Sequence, residues 1–145
     1  MPISMSPQAV TPALWTYTYL QAPINGQGFT YFNIPVEYSN KGTINAAGTA
    51  TCNVSEAGVF RILANGNMTV AFTGLPSTNK AVFWQVEIKA GGSYTVTWPG
   101  AVRWDGGGAS NVPPLLSTNT TLLNFYTRDG GTTIYGGYAF ADIFV

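Results

Sequence analysis

The chain has 145 residues, of which 8% are charged and none is histidine; six basic and six acidic side chains give a formal net charge of zero. The missing histidine excludes Ser-His and Cys-His catalytic arrangements and histidine ligation of a metal. The basic residues stand singly at Lys41, Arg61, Lys80, Lys89, Arg103 and Arg128, not in the cluster that a phosphate backbone requires, so no nucleic-acid partner is expected.

The length suits one core, and with so few charges the surface has to be built from Thr, Ser, Asn, Gly and backbone. A surface of that kind at zero net charge lacks the repulsion that keeps proteins apart, so a homo-oligomer or larger assembly is expected. No apolar run approaches the roughly 18 residues of a membrane span, and no membrane partner is expected. The first residues lack the basic and apolar regions of a cleaved secretion signal.

In chain order, Met1 to Val36 carries no charge, and prolines at 2, 7, 12, 23 and 35 break any helix there. Residues 1–28 are expected to form an extended arm. Within it "ALWTYTYL" alternates like a strand, and its aromatic area needs a surface to lie on. Leu14, Trp15, Tyr17, Tyr19 and Leu20 are the expected partner-binding residues.

Residues 29–145 break into short strand-like runs divided by Gly, Asn, Pro and Ser. Strands are expected at 29–38, 49–54, 59–64, 68–73, 81–89, 93–98, 121–127 and 132–140, with no amphipathic helix anywhere. The clearest run is "AVFWQVEIK", with Val82, Trp84, Val86 and Ile88 facing a core and Gln85, Glu87 and Lys89 facing water, near the middle of a sheet. "AGGS" reads as a tight reversal into the next strand. Many short alternating strands imply an all-β fold, an antiparallel β-sandwich with jelly-roll topology.

Cys52 is the only cysteine and reads as a small buried hydrophobe in a strand. The acidic residues Glu37, Glu56, Glu87, Asp105, Asp129 and Asp142 are scattered, and Asp105 and Asp129 each precede Gly in a turn. No enzyme activity, metal or cofactor is expected from them. The stretch "SYTVTWPGAVRWDGGGA" reads first as a corner of the fold, with Trp98 and Trp104 closing the core and Asp105-Gly106 turning the chain. Its second reading is a ligand loop of Arg103, Trp104, Asp105 and Asn111 that offers a ring face and polar groups to a glycan.

That stretch, followed by "LLNFYTRDGGTTIYGGYAF", resembles a β-signature of tailed-bacteriophage virion proteins, both tail-fibre-like and capsid-decorating. The resemblance lies within Trp84–Tyr138, at Tyr94, Trp98, Pro99, Val102, Trp104, Gly106, Gly107, Phe125, Tyr126, Asp129, Gly130, Gly131, Thr132, Tyr135 and Gly136. It implies a small virion structural protein without a long stalk. Among these a cement or decoration protein fits best, bound to the major capsid protein on the capsid exterior, with a trimer favoured. The alternative it implies is a tail-fibre or tail-tip protein that contacts a host surface glycan or protein.

Overall fold

The computed structural model describes residues 37–143. The expected arm, with Leu14, Trp15, Tyr17, Tyr19 and Leu20, lies outside the described residues, as does most of the strand expected at 29–38. The described residues are all-β, with nine strands: β1 (Tyr38–Asn45), β2 (Thr49–Asn53), β3 (Val59–Asn65), β4 (Met68–Thr73), β5 (Thr78–Lys89), β6 (Val96–Thr97), β7 (Val102–Trp104), β8 (Thr120–Asp129) and β9 (Ile134–Ile143). They make a six-stranded sheet in the order β1-β3-β5-β8-β9-β7 and a three-stranded sheet in the order β2-β4-β6.

The antiparallel expectation is corrected by the pairing. Five of the seven strand pairs are parallel, and only β5 with β8 and β8 with β9 run antiparallel. From β1 to β6 the chain alternates between the two sheets, and each return lies parallel to the strand one turn earlier. Tyr38 pairs with Val59, which pairs with Gln85; on the other sheet Thr49 pairs with Thr69, which pairs with Thr97. This is a two-sided coil, extended in the larger sheet by the β8–β9 hairpin and by β7.

"AGGS" is therefore a corner and not a hairpin turn. Ala90 takes a left-handed conformation with φ of 60°, Gly91–Ser93 form a single 3-10 turn, and the chain passes from β5 in one sheet to β6 in the other. The genuine hairpin follows Asp129, where Gly130 and Gly131 hold φ of 72° and 87° that other residues adopt only under strain.

Alternation within the strands came out as read. Trp84, Val86 and Ile88 are buried, Gln85, Glu87 and Lys89 are partly exposed, and β5 lies inside the larger sheet between β3 and β8. One core joins the inner faces of both sheets. The larger sheet contributes bulky groups such as Phe60, Ile62, Trp84, Leu123 and Phe125, and the smaller one contributes Ala50, Cys52, Met68 and Val70. Each large side chain buried in this way is worth about 1.5–3 kcal/mol. Cys52 is fully buried, and loss of solvation pushes its thiol up to about 12, so it is an unreactive filler.

Candidate functional site

The corner at 98–111 is built from the core outward. Trp98 packs edge-on against Trp104 with ring centroids 5.2 Å apart, and Phe125 lies 5.6 Å from Trp98 and 5.7 Å from Trp104. Phe125 in turn stacks on Trp84 at 5.7 Å, which ties the corner to the middle of the larger sheet. Gly136 makes this packing possible, because a Cβ there would sit 2.9 Å from both Phe125 and Trp104. At 8% exposure Trp104 serves the core, packed in T-shaped contacts with Trp98 and Phe125.

Asn111 is occupied in the same way. Its side-chain Oδ1 accepts the Trp104 backbone N–H at 2.8 Å, and its Nδ2 donates to the Val102 carbonyl at 2.6 Å. The amide thus mimics a neighbouring strand along β7, an edge strand whose backbone would otherwise be open. Of the four residues expected in the ligand loop, Trp104 and Asn111 are committed to structure. Arg103 and Asp105 are exposed and line a groove, and the Arg103 guanidinium donates to the Gly100 carbonyl at 3.0 Å and to the Val102 carbonyl at 3.3 Å.

That groove lies on the outer face of the larger sheet and encloses about 970 Å³. One wall is a row of rings set by strand register: Phe83 on β5 faces Tyr126 on β8, and Tyr126 faces Tyr135 on β9, which is next to Arg103 on β7. The ring centroids are 4.6 Å and 6.1 Å apart along the row, with interplanar angles of 28° and 27°. Phe83 is 73% exposed and Tyr135 46%, unusual values for large rings on a sheet whose other face is well buried.

The floor is the next row along the strands. Gln85, Asn124 and Gly137 are aligned by register, and the Gln85 Nε2 donates to the Asn124 Oδ1 at 2.8 Å. Gly137 keeps the floor open, since a Cβ there would come within 3.2 Å of Asp105. The lining is mostly apolar, with two amides, one cation and one anion.

No protein-family model, curated protein or solved structure matches the chain.

The groove residues Phe83, Gln85, Asn124, Tyr126 and Tyr135 were not singled out from sequence as a site. One signal was present. In "AVFWQVEIK" the residues facing water include Phe83 as well as Gln85 and Glu87, and an aromatic at an outward position has no core to fill. The acidic residues do not converge: among the described residues no three of His, Cys, Asp and Glu gather where a metal ion would be held.

Proposed function

We propose that this chain is a non-enzymatic structural protein of a tailed-bacteriophage virion, a cement or decoration protein that binds the major capsid protein on the outside of the shell as a homo-oligomer, with a trimer as the working stoichiometry. The observation that carries this reading is an apolar surface away from the groove. Leu115 is 87% exposed, and beside it lie Pro113, Pro114 and Tyr94. The Tyr138 hydroxyl donates to the Leu115 carbonyl, which brings the half-exposed Tyr138 ring to the same surface.

A large apolar surface on a chain with 8% charged residues favours broad contact with other subunits over life as a free monomer. The resemblance to phage virion proteins within Trp84–Tyr138 supports the same reading. The aromatic segment at 13–20 supplies the second half of the proposal, an arm that lies along a neighbouring subunit through Leu14, Trp15, Tyr17, Tyr19 and Leu20.

Removal of residues 1–22 tests the arm. The shortened chain is expected to keep the β circular dichroism signal and cooperative unfolding of the full chain, and to stop sedimenting with shells that lack this protein. Co-sedimentation undiminished by the deletion would remove the arm from the proposal. A second reading, a tail-fibre or tail-tip adhesin, is favoured by the aromatic groove, which such a protein would turn toward the host surface.

A further inference from the structure

We propose that the groove on the outer face of the six-stranded sheet binds an uncharged oligosaccharide, laid across the strands with its apolar C–H faces against Phe83, Tyr126 and Tyr135 and its hydroxyls toward Gln85 and Asn124. This does not depend on where in a particle the chain sits.

The chemistry of the lining selects the ligand. Arg103 and Asp105 are the charged residues of the lining and cancel, and the Arg103 guanidinium already donates to the Gly100 and Val102 carbonyls, so a phosphate chain or strongly anionic polymer would find no cationic cluster. The two amides satisfy each other through one hydrogen bond, which leaves Asn124 with both N–H donors and Gln85 with its carbonyl oxygen. Neighbouring donors and acceptors match vicinal hydroxyls, each of which donates and accepts.

A peptide is poorly served by the same surface. Peptides that add to sheets use main-chain hydrogen bonds at an open edge, whereas this groove lies on the face of the sheet, where Gln85 is paired with Val59 and Asn124, Asn124 with Gln85 and Gly137, and Tyr135 with Arg103 and Tyr126. What remains exposed on this face is rings and side-chain amides, the combination that holds a sugar through C–H contact and hydroxyl hydrogen bonds. The row also has the shape for a linear chain, since three rings in register on adjacent strands extend across the sheet and Gly137 keeps the trough beside them unobstructed.

The test is a glycan array probed with the purified full chain, followed by calorimetry with the best-bound soluble oligosaccharide. Binding to uncharged glycans is expected, little changed by added salt. Phe83→Ala and Asn124→Ala are each expected to weaken it about tenfold or more, equivalent to about 1.4 kcal/mol, while Leu115→Ala, off the groove, leaves it unchanged. Phe83 is mostly outside the core, so its variant should still unfold cooperatively at a urea concentration close to that of the parent, which separates lost binding from lost fold. Three results would overturn the proposal: no uncharged glycan retained on the array, binding confined to sulfated or phosphorylated glycans and abolished by salt, or binding unaffected by Phe83→Ala and Asn124→Ala. The proposal would equally fall if light scattering showed a dimer that Phe83→Ala converts to monomer, because the groove would then be the contact between two copies.

Discussion

Trp104 is held by T-shaped contacts with Trp98 and Phe125, and its backbone N–H donates to Asn111, so the residue ties the core to the edge of the sheet. Trp104→Ala and Trp84→Ala should each lower the unfolding free energy by about 3–5 kcal/mol, the range for truncating a large buried ring. Phe83→Ala should cost about 1 kcal/mol or less, since it removes an exposed ring and one cross-strand stack. Urea titrations of the three variants check this, and a Trp104→Ala variant as stable as the parent would show that the corner does not support the core. Asp129 makes a different kind of contribution. The Thr133 backbone N–H donates to its carboxylate at 2.9 Å, and the buried Thr127 hydroxyl lies 3.0 Å away, which holds the carboxyl below the usual aspartate range. A lowered folded-state value means that the ionised form favours the fold: the contribution is present above the ordinary carboxylate range near 3.9 and is lost as pH falls through the folded value. Asp129→Asn should therefore reduce stability at neutral pH and have a smaller effect near pH about 3, as measured by urea midpoints at the two values. At this scale the corner was legible, because Trp-Pro-Gly and Asp-Gly carry their own turn chemistry. The groove was not, because Phe83 is far in sequence from Tyr126 and Tyr135, which face each other across the β8–β9 hairpin, and only register brings the three rings together.

The strands themselves were mostly legible and their direction was not. Alternation reports that one face is buried and the other wet, and it reads the same whether the neighbour runs parallel or antiparallel. The missing signal was a repeat. "INAAGTATC", "LANGNMTVAF" and "IKAGGSYTVTW" each pass from an apolar strand end through a Gly-containing corner into a Thr-rich strand, and these are the successive turns of the coil. β1 was missed because Asn40, Lys41 and Gly42 dilute its pattern; Gly42 sits at φ of 69° where the pairing with β3 shifts register. The parallel direction is testable. Thr49 and Thr69 are exposed partners on adjacent parallel strands, at the spacing of about 4.8 Å that a disulfide can span. A Thr49→Cys, Thr69→Cys variant should oxidise to an intramolecular disulfide while the buried Cys52 stays reduced, as peptide mapping by mass spectrometry would detect. An antiparallel pairing of the same segments would separate the two cysteines and leave them free.

For the chain taken whole, composition matters more than any one residue. With a formal net charge of zero and 8% charged side chains, solubility rests on hydroxyls, amides and backbone, while Leu115 and Tyr138 remain uncovered on one surface and Phe83 and Tyr135 on another. A chain with these properties gains from a permanent place among other subunits. The proposed place is the virion, and immunogold electron microscopy of phage particles from a lysate in which this chain is expressed, using an antibody raised against it, addresses that most directly. The account predicts gold distributed over the heads of intact particles. Gold confined to the tail would contradict the cement assignment in favour of the adhesin reading, and particles that carry no gold at all would contradict the virion assignment itself.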